Sequence, residues 1–217
     1  MTRRKTVIFD CDGVLVDSEP LSLEAFHRAL RDQGVDYPRD RITKFCGMTG
    51  EASMRIVIEE TGASLDEERY LNAKVEHYKR LVEERGLRLF DGVPELLDSL
   101  GGNGVKLAIA TSGPREKVQT SLRLVGLEDR FDAIVSGDDV PQGKPAPDAF
   151  LEAARRCGSD PAHCVGVEDT LIGLQAIRAA GMYVVAVAHT FPPQQILPLC
   201  DILFPRIAEI EAEDLME

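Results

Sequence analysis

The sequence predicts an α/β protein built on a parallel sheet, and three observations lead there. Apolar runs of strand length fall at residues 7–9, 105–110, 133–135, 164–167 and 183–188. They show almost no polar alternation, as expected of strands covered on both faces. Between the later runs, apolar residues recur at helical spacing, so strand and helix alternate as in βαβ units. The first run is cut off from the second by residues 17–86, which carry helical patterns and no convincing strand.

Taken in order, the first strand, Val7-Ile8-Phe9, runs into Asp10-Cys11-Asp12-Gly13. Asp17-Ser18-Glu19-Pro20 then reads as a helix start capped by Ser18, with Leu23, Phe26 and Leu30 on one face and Gly34 as the stop. A second helix is expected over residues 49–61, before Gly62. A third covers 66–85, with Leu71, Val75, Tyr78 and Val82 on one face. Pro94 opens a helix to Leu100, ahead of the second strand. Val118, Leu122 and Val125 mark the next helix, ending at Gly126. Pro147 opens another through Cys157, and a last one covers residues 170–180. The expected architecture is a Rossmann-like parallel sheet core, residues 1–16 and 87–217, with an α-helical cap domain, residues 17–86, inserted after the first strand.

Composition narrows the function classes. With 37 acidic and 25 basic residues the chain has a net charge of −12, which argues against nucleic acid or an anionic membrane as partner. The cysteines, Cys11, Cys46, Cys157, Cys164 and Cys200, form no C-x-x-C pair, so neither a disulfide framework nor a zinc site is expected. Met1-Thr2-Arg3-Arg4-Lys5 is basic but leads into a strand, unlike a signal peptide, and no apolar run is long enough to span a bilayer. A cytoplasmic protein with reduced thiols is expected. With no heptad and no exposed apolar stripe in the pattern, a monomer is expected.

Polar residues gather where such a sheet binds ligands, beyond the carboxyl ends of its strands. The first strand ends in Asp10 and Asp12, the second in Thr111-Ser112-Gly113, and the fourth in Glu168-Asp169; Gly143-Lys144-Pro145 follows the third. Taken singly, each has an ordinary reading. Thr111 or Ser112 is a helix cap, Lys144 a solvated side chain, Glu168-Asp169 a turn, and Cys11 core filler. Together they put four carboxylates, hydroxyls and a lysine on one rim. Clustered carboxylates suit Mg²⁺. Hydroxyls and backbone N–H groups at a helix start, with a lysine, suit a phosphate.

These segments carry a resemblance. Asp10-Cys11-Asp12-Gly13-Val14-Leu15-Val16-Asp17-Ser18-Glu19, Ala110-Thr111-Ser112, Gly143-Lys144-Pro145-Ala146-Pro147-Asp148 and Val167-Glu168-Asp169-Thr170 resemble the haloacid dehalogenase-like (HAD) superfamily over essentially the whole chain. The position of the helical insertion is similar to the branch holding CbbY-like proteins, phosphoglycolate phosphatases and β-phosphoglucomutases. The resemblance implies a phosphatase acting on a small phosphorylated metabolite, a sugar phosphate above all. Asp10 would be the nucleophile that forms an aspartyl-phosphate, and Asp12 the general acid and then base. Mg²⁺ would be held by Asp10, the Asp12 carbonyl and Asp169, with Glu168 nearby. Thr111, Ser112, Gly113 and Lys144 would hold the transferring phosphoryl. A metal on Asp10 is expected to keep it ionised while Asp12 retains a proton.

Asp12 sets the chain apart from dehalogenases, which need no leaving-group acid, and from phosphonatases, which place another residue there. The alternative is a sugar-phosphate mutase. β-Phosphoglucomutases carry a cap His and a cap-loop Arg where this chain has Ser22 and Gly50, and His27 lies more than a turn beyond. A non-catalytic phosphometabolite-binding module would show a lost nucleophile or lysine. For substrate specificity the expected positions are Gly47, Met48 and Thr49 in the first insertion loop, with His77 and Arg115, beside Lys74 and Lys79.

Overall fold

The computed structural model describes residues 4–217; Met1, Thr2 and Arg3 of the basic leader lie outside the described residues. The strands are β1 (Thr6–Phe9), β2 (Lys106–Ala110), β3 (Ala133–Val135), β4 (Cys164–Glu168), β5 (Tyr183–Val187) and β6 (Ile202–Phe204). They form one parallel sheet in the order β3-β2-β1-β4-β5-β6. The helices are α1 (Glu19–Arg31), α2 (Gly50–Thr61), α3 (Glu67–Arg85), α4 (Val93–Gly102), α5 (Arg115–Leu124), α6 (Asp148–Arg156), α7 (Leu171–Ala179), α8 (Pro193–Ile196) and α9 (Ala212–Met216). β6 escapes the sequence reading although Ile202-Leu203-Phe204 is apolar; it is three residues long and half-buried at the sheet edge. No helix among the described residues is long and apolar enough to cross a membrane.

Both faces of the sheet are covered, which is why its strands read as continuous apolar runs. Val7, Phe9, Leu107, Ile109, Val165 and Val167 pack to one side with Leu97 and Leu100 of α4, Leu122 of α5 and Leu215 of α9. Ile8, Ala108, Ala110, Val184 and Ala186 pack to the other with Phe150 of α6 and Leu174 and Ile177 of α7. Each large aliphatic or aromatic side chain so buried contributes about 1.5–3 kcal/mol. Cys11 belongs to the first of these clusters and is buried among apolar groups. All five cysteines are free thiols.

α1, a 3₁₀ helix at Arg39–Phe45, α2 and α3 lie between β1 and α4 and have an apolar cluster of their own. Its centre is aromatic: Phe26 stacks on Phe45 at 5.0 Å and meets Tyr70 edge-on at 6.1 Å. The chain leaves and re-enters the sheet layer side by side. The Asp17 N–H donates to the Arg88 carbonyl at 2.9 Å, and the Phe90 N–H donates to Leu15 at 3.1 Å.

Helix ends follow local chemistry. Thr49, Asp66 and Thr170 accept from the N–H groups of Ala52, Arg69 and Gly173, which would otherwise be unpaired at the first turn. Ser18 is a correction to the expected cap. It occupies the position before α1 but makes no capping bond: its backbone is already helical, at φ −100° and ψ −14°, and its hydroxyl is turned to donate to Asp12 Oδ1.

The strand order reverses at β1, with β2 on one side and β4 on the other. A crevice opens beyond the carboxyl ends of strands at such a switch point. Phe9 pairs in register with Val167, and the Asp10 N–H donates to the Val167 carbonyl at 2.9 Å. The sheet therefore sets Asp10 beside Glu168.

Candidate active site

At the switch point three buried carboxyl groups, those of Asp10, Glu168 and Asp169, have oxygens within 4.8 Å of one another. Lys144 reaches in from the loop before α6. Its Nζ lies 2.5 Å from Asp10 Oδ1 and 2.6 Å from Glu168 Oε2. The other Glu168 oxygen accepts from the N–H groups of Asp169 and Thr170 at 3.0 and 2.9 Å and from the Thr170 hydroxyl at 2.9 Å. Both Glu168 oxygens are engaged, so this side chain anchors Lys144 and the start of α7. Asp169 differs: Thr190 donates to Oδ2, while Oδ1 is buried with no hydrogen-bond partner. An orphaned carboxylate oxygen beside two further acids fits a hard divalent cation.

Charge is costly here. Burial pushes Asp10 up to about 8, with Lys144 pulling the other way and Glu168 and Asp12 adding repulsion. Burial, then Glu168 and Asp10, lifts Asp169 well above the ordinary range. Gly13 keeps the space open. It adopts φ +81°, and a Cβ there would overlap the Asp169 carboxylate. Its carbonyl is 2.7 Å from His189 Nδ1, and that ring stacks on Phe90 at 4.0 Å. Gly173 is equally constrained, since a Cβ there would overlap Glu168.

Asp12 leads a separate group. Lys117 Nζ lies 2.7 Å from its Oδ2, and Ser18 holds Oδ1. Burial raises its pKa, but the Lys117 ammonium and the two hydrogen bonds outweigh that and leave the carboxyl below its usual value. Against the expectation that Asp12 retains a proton beside a metal-bound Asp10, an ion pair the sequence did not reveal, with Lys117, favours its ionised form. Burial works against the charge on Lys117, yet Asp12 lifts it above the ordinary lysine range. Thr111 is buried, and its Oγ1 accepts from the Gly113 N–H at 3.1 Å. A Cβ on Gly113 would stand 3.7 Å from Asp12 Oδ2, so this loop lies alongside Asp12.

A cavity of about 360 Å³ opens between these groups and the helical segment. Asp10, Asp12, Thr111, Ser112, Gly113 and Lys117 line it from below, and Glu19, Ser22, Met48, Glu51 and Lys74 line it from above. The loop at Gly47–Thr49 is seated on the core. A Cβ on Gly47 would come within 2.7 Å of Thr170 Oγ1, and one on Gly143 within 2.6 Å of the Thr49 methyl.

The expected residues thus divide. Asp10, Asp12, Thr111, Ser112, Gly113, Lys144, Glu168 and Asp169 meet at the rim, and Gly47, Met48 and Thr49 line the cavity. His77 and Arg115 are not among the lining residues, because carboxylates hold them elsewhere. His77 Nε2 is 2.6 Å from Asp32, and Arg115 pairs with Asp139. Lys79 pairs with Glu116 and Glu76. His27 packs near Asp36 and Arg39, away from the cavity. Lys117, Thr190, Ser18 and Glu19 were not read as site residues. Two were within reach of the strand-end rule: Lys117 lies in the first turn of α5 after Thr111–Gly113, and Thr190 just follows β5.

Comparison with known proteins gives the family. The sequence pattern of the family described as "Haloacid dehalogenase-like hydrolase" matches residues 7–187. The chain belongs to the haloacid dehalogenase-like hydrolases. Among curated relatives it is 34% identical over 185 residues to the "Phosphorylated carbohydrates phosphatase" of Thermotoga maritima, covering 82% of each chain. It is 40% identical over 191 residues to "Protein SUPPRESSOR OF QUENCHING 1, chloroplastic" of Arabidopsis thaliana. There the match takes in 85% of this chain but only 18% of the relative's length. Among solved structures, CbbY from Rhodobacter sphaeroides in complex with phosphate superposes with a TM-score of 0.85 at 27% identity, over 95% of this chain and 96% of that one.

Proposed function

We propose that the protein is a Mg²⁺-dependent phosphatase that hydrolyses a small phosphorylated sugar or related metabolite through an aspartyl-phosphate on Asp10. One observation carries the reading: the two aspartates are built into different environments. Asp10 joins Lys144 and the acidic cluster, while Asp12 pairs with Lys117 and Ser18 beside Thr111–Gly113. A nucleophile and a proton-transfer group need that division. The named activity of the Thermotoga maritima relative supports a carbohydrate phosphate as the substrate class.

In this reading Asp10 attacks phosphorus, and the bond from phosphorus to the substrate oxygen breaks. Asp12, carrying a proton, gives it to the departing alkoxide. In the second half, ionised Asp12 takes a proton from water, whose oxygen attacks the phosphorus; the bond to Asp10 breaks and inorganic phosphate leaves. Because Lys117 favours the ionised form of Asp12, the first half requires that pair to loosen as the substrate enters. Asp12 then carries the proton it took from water in the preceding turnover or takes one from solvent. Thr111, Ser112 and the Gly113 N–H orient the phosphoryl oxygens, and Lys144 offsets their charge. The residues that would hold Mg²⁺ are Asp10, the Asp12 backbone carbonyl and Asp169, whose unpartnered Oδ1 is free for it. When bound, the ion supplies positive charge that offsets the crowded carboxylates and the phosphoryl oxygens.

Residues 17–86 act in this proposal as a cap that opens to admit substrate and closes to exclude water. The paired crossings at Asp17–Arg88 and Leu15–Phe90 are the natural hinge. Phosphate release from a panel of sugar phosphates, with purified protein and Mg²⁺, tests the reading. No release from any member would overturn it, and isomerised sugar phosphate without release would favour a mutase.

A further inference from the structure

The part of the cavity away from Asp10 is poor in available positive charge. Lysines 74 and 117 are the two cationic side chains lining it, and Lys117 is committed to Asp12. Lys74 makes no ion pair among the described residues; its ammonium stands 5.7 Å from the centre of the Phe26 ring. Against this one cation, Glu19 and Glu51 line the same space, together with Glu116, whose charge Lys79 offsets. Arg115 and Lys79, which border the region in sequence, are tied to carboxylates and do not line it. A second phosphate or a carboxylate on the substrate would therefore enter an acidic chamber. At the reacting end, Lys144 already sits between Asp10 and Glu168.

The same walls offer hydrogen bonds to neutral groups. The hydroxyl oxygen of Ser22 is buried, lines the cavity and has no partner among the described residues. Buried hydroxyls left unpaired are costly, and a ligand that pairs them recovers that cost. Carboxylates such as Glu51 accept hydrogen bonds from sugar hydroxyls or from an ammonium group.

We propose that the substrate is a monophosphate ester whose leaving group is a polyol or aminopolyol with no second anionic group, and that bisphosphates and carboxylate-bearing phosphates are selected against. This rests on the phosphatase reading of the site and adds the charge of the leaving group to it. Discrimination arises from repulsion by Glu51 and its neighbours, with too little compensating positive charge at that end.

The test compares a hexose monophosphate with its matched bisphosphate and with a phosphoglycolate-type carboxylate ester, in turnover and in binding. The expected kcat/KM for the monophosphate is at least about tenfold above either anionic analogue. In Glu51→Lys, which removes one negative charge and adds a positive one, the gap to the bisphosphate narrows by about tenfold. Binding to Asp10→Asn protein with Mg²⁺, measured by calorimetry, reads the same preference without turnover. A bisphosphate that binds as well as or better than the monophosphate would overturn the inference. Monophosphate preference in binding with no turnover of any ester by the unaltered protein would uphold this inference and sink the phosphatase reading instead.

Discussion

Lys117 Nζ stands 2.7 Å from Asp12 Oδ2, so the group expected to move protons spends its resting state in an ion pair between the first turn of α5 and the loop after β1. The side chains are 14% and 17% exposed, which keeps water from screening the pair. Replacing Lys117 with Met strands a buried carboxylate. Expected are a stability loss of about 2–3 kcal/mol and an upward move of the alkaline limb of the kcat/KM pH profile, where Asp12 loses the proton it must donate. Denaturant titration and a pH–rate profile measure these; an unmoved alkaline limb would separate Lys117 from proton transfer.

Asp10→Asn is expected to abolish phosphate release while leaving the fold intact, since Lys144 keeps Glu168 as its partner at 2.6 Å. Circular dichroism and a phosphate-release assay check both halves. Normal turnover in the variant would remove Asp10 as the nucleophile.

Gly13 and Gly34 share φ +81°, but a Cβ at Gly34 meets nothing within 4 Å while one at Gly13 overlaps Asp169. Gly34→Ala should therefore show only the conformational cost of the left-handed region, about 1–2 kcal/mol. Gly13→Ala should cost more and also weaken Mg²⁺ binding, because Asp169 must move. Paired thermal melts with and without Mg²⁺ distinguish the two effects. Equal behaviour of both variants would argue against a shaped metal cradle.

The raised pKa of Asp10, about 8 against an ordinary 3.8, gives a signed pH dependence. Over that interval the folded protein holds a proton that the unfolded chain has lost, so stability falls as pH rises and the penalty is complete above about 8. Without metal, thermal melts should show this decline, shallower in Asp10→Asn. Adding Mg²⁺ should flatten it by binding the ionised form. A wild-type curve indistinguishable from that of Asp10→Asn would contradict the burial argument.

Lys74 is held down to about 8, first by burial and then by Lys117. Its ammonium is lost as pH rises through that value. KM is therefore expected to climb above about pH 8 in the wild type. In Lys74→Met, KM should be higher throughout and lack that rise.

The sheet and the rim were largely legible in the sequence. Uninterrupted runs such as 105–110 and 164–167 reflect burial on both faces, and a ligand site at strand ends follows from parallel topology. β6 was not legible, being short and only half-buried at the sheet edge. Ser18 shows a different kind of miss: local rules make it a cap, but packing turns its hydroxyl to donate to Asp12.

By itself the sequence determined the composition of the rim: which acids, hydroxyls and lysine stand at which strand ends, and that helices interrupt the core after β1. Those are consequences of periodicity and order along the chain. Tertiary structure alone decided how the charges are shared. Lys117 is 105 residues from Asp12 and Lys144 is 134 from Asp10. Whether a lysine neutralises one aspartate, the other or solvent depends on where packing brings its ammonium, and no local pattern encodes that. The same holds for His77 and Arg115, drawn off by Asp32 and Asp139, and for the scarcity of free positive charge at the cavity's far end.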